Sequence, residues 1–166
     1  MSNVRQVIVR ILLIVLTGMV MFFIYRMSAM EAVESSQLST SVGYTVGEMV
    51  IDGFDEMPAV EQQQYVDDIE HPLRKLAHFM EFTALGFLLL LDVVAFTGLA
   101  GLKRFVVAVV SGLLYAASDE YHQTLVCGRS CELKDVMIDV GGVINGCIVA
   151  MIVVALSMHF HKNKKK

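Results

Sequence analysis

The chain has 166 residues, of which 55% are hydrophobic and 18% charged, and its formal net charge is −4. Its mean hydropathy is positive, and it contains four separated apolar runs, each close to the about 20 residues that a membrane-spanning helix needs. These properties exclude an ordinary soluble domain and predict one compact unit, residues 1–166, that is an all-α polytopic membrane protein with a four-helix bundle. The predicted spans are residues 7–25, 76–97, 105–121 and 136–158.

Arg5 precedes the first predicted span, Arg10 lies near its start, and Arg26 follows it directly. A basic start and an apolar centre are also typical of a cleaved signal peptide, but this run is long for one. We therefore expect a membrane anchor and keep cleavage as the alternative.

The segment 27–74 is expected to be an outer loop, and at this length it should carry structure of its own. Pro58 is expected in the first turn of a short helix, because proline suits that position. His71 and Pro72 are expected to end this helix and to open the second span.

The charged residues are sorted along the chain. Lysines and arginines lie before the first span, at residues 103 and 104 between the second and third, and in the C-terminal tail. The loop 27–74 holds most of the acids. Because lysine and arginine are enriched in cytoplasmic segments, we expect both termini in the cytoplasm of a bacterial cell and the acidic loop outside. The basic tail is short and close to the membrane, so nucleic-acid binding is not indicated.

Three cysteines are present. Cys127 and Cys131 lie in the predicted short outer loop, where a disulfide and two free thiols are both compatible with the spacing. Cys147 lies within the fourth span and is expected to be a small packing residue.

Polar residues interrupt three of the apolar runs at helical spacing. Taking about 100° per residue, they form one face on each span. On the second span these residues are Arg74, Lys75, His78 and Glu81. On the third they are Asp119, Glu120 and Gln123. On the fourth they are Lys134, Asp135 and Asp139, followed by Gly142 and Gly146, whose small-xxx-small spacing lets helices approach closely.

All three polar faces are expected at the outer end of their spans, where they would meet. Each residue also has a simpler interpretation: His78 as a packing histidine, the acids as solvated helix ends, and the lysines as headgroup anchors. Asp92 stands alone toward the inner end of the second span, and we assign it no role. A purely structural cluster of this size would be costly, because ionisable groups in the membrane cost about 2.5–3.5 kcal/mol each at a helix centre.

Three kinds of chemistry suit such a cluster. Lys75, Arg129 and Lys134 could clamp a phosphate or pyrophosphate. His78 and Glu81 could act as a general base and its orienting partner. A divalent cation could instead be bound by Glu81, Asp119, Glu120 and His78. The sequence does not decide among them, nor does it identify a metal or cofactor.

These motifs resemble a known family. The segments are Lys75-x-x-His78-Phe79-x-Glu81-Phe82, Ser118-Asp119-Glu120-x-x-Gln123, Gly128-Arg129-Ser130 and Lys134-Asp135-x-x-x-Asp139-x-Gly141. Together they resemble the VanZ-like family of bacterial membrane proteins over about residues 8–155. Ser28, Ser35, Ser36 and Ser39 resemble a serine-rich patch that often follows the first span in that family. The resemblance implies a small helical membrane protein of the cell envelope; the namesake is associated with glycopeptide resistance, mostly to teicoplanin, and no established reaction comes with the family.

The leading hypothesis is a membrane protein that engages an anionic lipid-linked envelope component or a lipoglycopeptide at an outward-facing polar site. Its cation clamp would be Lys75, Arg129 and Lys134. The polar core of the site would be His78, Glu81, Asp119, Glu120 and Gln123, with Asp135 and Asp139 beside it. The alternatives are a hydrolase or transferase acting on a polyprenyl phosphate, and, less favoured, a proton-coupled transporter.

Overall fold

In a computed structural model of the chain, which describes residues 3–30, 32–126 and 133–163, five α-helices follow one another. They are α1 (Asn3–Ser28), α2 (Ala32–Val50), α3 (Ala59–Phe96), α4 (Leu102–Gln123) and α5 (Leu133–Asn163). A single 3₁₀ turn, Phe54–Glu56, stands between α2 and α3, and no strand occurs in the described ranges. α3 is central, because it packs against each of the other four helices and most extensively against α5. The all-α prediction is confirmed.

Three helices in the described part of the chain are long and apolar enough to cross a membrane: α1, α3 and the stretch 134–160 of α5. They correspond to the first, second and fourth predicted spans. α4 contains the third predicted span but carries charged residues at both ends, which lower its hydropathy. Its 22 residues would extend about 33 Å, similar to the about 30 Å hydrocarbon core of a bilayer. The four-span bundle therefore stays a prediction.

α3 is one continuous helix of 38 residues that contains Pro72. The prediction that a helix begins at Pro58 is confirmed, since Pro58 is the N-cap of α3. The prediction that His71 and Pro72 end that helix is wrong. An internal proline removes one backbone hydrogen bond and costs about 3 kcal/mol. The helix nevertheless continues through the proline, since its packing against the other four helices offsets this cost. Pro72 itself is exposed.

The segment that was predicted as a loop with one short helix is a helical hairpin made by α2 and the first part of α3. Its small core is built on Phe54 and Val66, which are 1% and 0% exposed. A Cβ at Gly47 would overlap the ring of Phe54, and one at Gly43 would stand 2.9 Å from Val66. The two glycines thus let α2 approach α3. Gly53 turns the chain between them at a φ of 75°, which favours glycine.

α3 and α5 approach so closely that their backbones meet. A Cβ added at Gly86 would clash with Val143 of α5, and one at Gly146 would clash with Thr83 of α3. Gly142 faces the carbonyl of Phe79 in the same way. The contact predicted from the small-residue stripe Gly142–Gly146 is confirmed, and it brings the polar faces of α3 and α5 together.

Candidate functional site

The polar face of α3 meets that of α5 in two ion pairs. Lys75 Nζ pairs with Asp135 Oδ1. One turn further into each helix, His78 Nδ1 lies 3.7 Å from Asp139 Oδ1. The two pairs repeat at matching helical positions, so the close backbone approach of α3 and α5 sets their separation.

A buried hydrogen-bond network joins the end of α1 to the end of α4. Ser28 Oγ donates to Asp119 Oδ2 at 2.7 Å, and Gln123 Nε2 donates to the same oxygen at 3.0 Å. Gln123 Nε2 also lies 3.3 Å from Ser28 Oγ. Ser28, Asp119 and Gln123 are 0%, 3% and 6% exposed. One oxygen of Asp119 thus accepts two hydrogen bonds, as its two lone pairs allow.

Asp119 and Asp139 converge on His78. One potential metal-ligand atom from each of these three residues lies within 4.8 Å of the other two. Asp139 is 1% exposed, and neither of its oxygens has a hydrogen-bond partner among the described residues. Glu120, which follows Asp119, is also buried at 3% exposure. We call His78, Asp119 and Asp139 the buried trio.

A pocket of about 130 Å³ opens beside the buried trio, between α2 and α3. We call it the α2–α3 cleft. Its polar lining comprises Ser35, Ser39, Arg74, His78 and Glu81. Its apolar lining comprises Met27, Leu38, Val42, Leu73 and Ala77. Both α2 and α3 contribute polar and apolar side chains to the cleft, a combination that is suited to an amphiphilic molecule.

Arg74 is held loosely at the mouth of the cleft. Its Nη2 lies 3.6 Å from Glu70 Oε1, one turn earlier on α3, and its side chain is 31% exposed. Ser36 of α2 donates to the same Glu70 oxygen at 3.0 Å. Exposed pairs at this helical spacing contribute only about 0.3–0.5 kcal/mol, so Arg74 can exchange this partner at little cost.

The structure brings together most of the residues that the sequence singled out. His78, Asp119 and Asp139 form the buried trio, Gln123 supports it, and Glu81 lines the cleft next to His78. Lys75 and Asp135 neutralise each other at its edge. Lys134 is exposed at the start of α5.

Some predictions concern residues outside the described ranges. Arg129 is among them, and so are Cys127 and Cys131 with their possible disulfide. Cys147 is described: it is buried, and its thiol lies 3.3 Å from the carbonyl of Gly86, as expected for a packing residue.

Sequence reasoning missed three features of the site. It did not connect Ser28 to Asp119, although the serine patch after the first span was a signal. It included Arg74 in the polar face without assigning it to a pocket. It also left Asp92 without a contact, whereas Thr17 of α1 donates to Asp92 Oδ2 at 2.7 Å.

Comparison with known proteins gives a single assignment. No curated protein and no solved structure matches the chain significantly. The model of the VanZ/LLP1 family matches residues 13–154, which is most of the chain and includes the buried trio and the α2–α3 cleft. The chain therefore belongs to the VanZ/LLP1 family.

Proposed function

We propose that this protein is a cell-envelope membrane protein that binds the anionic headgroup of a lipid-linked envelope component in the α2–α3 cleft. The observation that carries the proposal is the lining of the cleft, which combines a guanidinium, an imidazole, two hydroxyls and the Glu81 carboxylate with apolar side chains. Such a lining matches a charged headgroup attached to a hydrocarbon chain.

The size of the cleft favours a headgroup over a whole antibiotic. Pockets that enclose drug-sized ligands have about 300–1,000 Å³, whereas the cleft has about 130 Å³. A phosphate with its first chain atoms suits this volume better than a lipoglycopeptide. A contribution to glycopeptide resistance would then be indirect, through the envelope component that is bound.

Arg74 is the residue proposed to contact the anion. Guanidinium groups engage phosphate oxygens through two parallel hydrogen bonds, which are stronger than neutral ones. Arg74 lines the cleft, and its pair with Glu70 is long and partly exposed. Ser35 and Ser39 can each donate one further hydrogen bond.

The cation clamp expected from the sequence changes in this proposal. Lys75 has its charge matched by Asp135, so Arg74 takes its place in the cleft. Lys134 and Arg129 remain proposed contacts of the headgroup. The orientation follows from the distribution of lysine and arginine, which supports an outward-facing cleft and cytoplasmic termini.

The experiment is a binding titration with purified full-length protein in nanodiscs, using a polyprenyl monophosphate as the probe. Arg74→Gln is expected to raise the Kd by about 10- to 100-fold, since a charge-assisted hydrogen bond contributes about 1.5–3 kcal/mol. The Kd of Arg74→Lys should lie between those of the unmodified protein and Arg74→Gln, because lysine keeps the charge but cannot form two parallel hydrogen bonds. Lys103→Gln, a charge loss at the opposite end of α3 and α4, is the control and should leave the Kd unchanged. Equal affinity of the Arg74→Gln variant and the unmodified protein would refute the proposal.

A second candidate function is a hydrolase or transferase acting on the same phosphate. One observation favours it: His78 lines the cleft, and its Nδ1 lies 3.7 Å from Asp139 Oδ1, so a shift of about 0.5–1 Å would let Asp139 orient His78 as a general base. His78→Gln would then reduce turnover by about 10²–10⁴-fold while the Kd changed little. Failure of the unmodified protein to release phosphate from the probe, with or without divalent metal, would remove this candidate for that substrate.

A further inference from the structure

The buried trio brings two carboxyl groups and one imidazole together inside the bundle, where the loss of their hydration has to be offset by other interactions. Asp119 and Asp139 are 3% and 1% exposed, so both are removed from water. One carboxylate oxygen of Asp139 lies within 4.8 Å of one from Asp119, so two acidic groups share this buried site. Buried carboxylates are normally paired with a cation or fully hydrogen-bonded.

Asp139 lacks the hydrogen bonds that would compensate for its burial. Neither of its oxygens accepts a hydrogen bond from the described residues. Lys75, one turn before His78, forms an ion pair with Asp135 instead. The His78 nitrogen is 3.7 Å away, which is beyond the about 2.7–3.2 Å of an N–H···O hydrogen bond.

That same distance suits two ligands of one metal ion. Ligands that stand about 2.0–2.2 Å from a tetrahedral or octahedral centre are roughly 3–4 Å from each other. All three donor atoms of the buried trio lie within 4.8 Å of one another. Small side-chain movements would therefore bring all three within bonding distance of one ion.

The surroundings of Asp119 resemble those of a metal ligand. Carboxylates that bind metals are themselves held by hydrogen bonds from neighbouring groups. Ser28 and Gln123 supply two such bonds to Asp119, one from α1 and one from α4 itself. The site would thus use ligands from α3, α4 and α5 and a supporting residue from α1.

We propose that His78, Asp119 and Asp139 bind one divalent transition-metal ion, such as Zn²⁺ or Mn²⁺. One imidazole with two carboxylates suits these ions, since imidazole favours zinc and carboxylates favour manganese and magnesium. The ion would offset the charge of both buried aspartates and tie three helices together. This inference does not depend on the binding of a lipid in the cleft.

The experiment uses the full-length protein in nanodiscs after treatment with a chelator. Equilibrium dialysis against Zn²⁺ and, separately, Mn²⁺ is followed by elemental analysis, and thermal unfolding is recorded with and without each ion. One ion per chain and a raised unfolding temperature are expected, because an ion that binds only the folded state stabilises it.

Asp139→Asn removes one ligand with little change in shape, and His78→Gln removes another. Each is expected to weaken binding by at least about 100-fold, the upper end of what the loss of a supporting residue costs, and to abolish the thermal shift. Asp92→Asn is the matched control: it alters an acid on α3 that is bonded to Thr17, away from the buried trio, and should bind the ion as the unmodified protein does.

Two results would overturn the proposal. One is the absence of a stoichiometric ion in the unmodified protein together with an Asp139→Asn variant of higher thermal stability, which would mean that Asp139 is a buried protonated acid. The other is unchanged binding in both ligand variants. If Asp139→Asn does not fold, His78→Gln and the metal-dependent thermal shift of the unmodified protein still decide the question.

Discussion

Ser28 shows how the protein accommodates a buried carboxyl group inside an apolar bundle. Its hydroxyl is fully buried and donates to Asp119, which also accepts from Gln123. Removing one partner of a buried hydrogen bond leaves the other unsatisfied, which costs more than the bond itself contributes. A serine at the end of α1 is therefore a structural part of the polar site on α4.

Ser28→Ala is expected to lower the free energy of unfolding by about 1–3 kcal/mol, the cost of an unsatisfied buried group. Ser111→Ala is the control, because Ser111 is exposed and its hydroxyl bonds only to the Val107 carbonyl of its own helix. It should change stability by less than about 0.5 kcal/mol. Reversible unfolding in detergent measures both, and equal effects of the two substitutions would contradict the assigned role of Ser28.

The meeting of His78, Asp119 and Asp139 could be predicted from the sequence, because each belongs to a polar stripe at helical spacing near the same end of its predicted span. The partner of Asp119 could not be predicted in the same way. Ser28 lies on a helix whose apolar pattern gives no preferred face, so its rotation is fixed only by packing. The α2–α3 cleft was also missed, since it depends on the path of a segment with weak amphipathic character.

The contact between α3 and α5 determines the geometry of the site. Gly86, Gly142 and Gly146 let the two backbones touch, and the ion pairs of the polar faces follow from that separation. In a membrane, where apolar side chains gain little by leaving lipid, such close packing supplies much of the association energy.

Gly146→Ala is expected to destabilise the protein by about 1–3 kcal/mol, since its Cβ would overlap the Thr83 carbonyl and force the helices apart. The control is Gly18→Ala in α1, where nothing lies within 4 Å of the new Cβ. That substitution should be neutral or stabilising by about 0.5–1 kcal/mol, because alanine favours helix. Thermal unfolding of the two variants tests the contact, and a tolerated Gly146→Ala would show that α3 and α5 do not meet there.

At Pro72 the backbone preference of the local sequence differs from the conformation in the folded protein. Proline at this position predicts a boundary, yet α3 continues through it for 24 more residues, from 73 to 96. α2 contacts α3 on both sides of the proline, at Glu70 and in the cleft, and together with α5 it stabilises one long helix. Packing between helices cannot be read from the residue pattern of one helix. The start of α3 could therefore be predicted from the sequence, but its continuation past Pro72 could not.

At the scale of the whole molecule, the fold places the α2–α3 hairpin, the end of α4 and the start of α5 around the polar site. The opposite end of the bundle carries the turn between α3 and α4, with Lys103 and Arg104. The distribution of lysine and arginine predicts that this second end faces the cytoplasm. If α4 crosses the membrane, its two ends must lie on opposite sides.

A cysteine-labelling scan in intact cells tests both the orientation and the fourth span. In a background without the native cysteines, Asp55→Cys and Leu125→Cys should react with a membrane-impermeant reagent, and Lys103→Cys should react only after permeabilisation. All three positions are exposed on the protein.

The labelling pattern distinguishes a wrong prediction that α4 spans the membrane from a wrong prediction of the orientation. Protection of both Lys103→Cys and Leu125→Cys would mean that α4 does not cross the membrane. Labelling of Lys103→Cys together with protection of Asp55→Cys and Leu125→Cys would reverse the orientation and place the cleft on the cytoplasmic side.

The most direct test of the proposed function is to map where a photoreactive polyprenyl monophosphate attaches to the full-length protein in membranes. Its reactive group should stand next to the phosphate, and an excess of unlabelled polyprenyl monophosphate should compete while the uncharged polyprenol should not. The account predicts crosslinks in residues 35–42 of α2 and 73–81 of α3, the two walls of the cleft, and their loss in Arg74→Gln. Crosslinks confined to the lipid-exposed faces of α1 and α5, and displaced equally by the uncharged polyprenol, would contradict it.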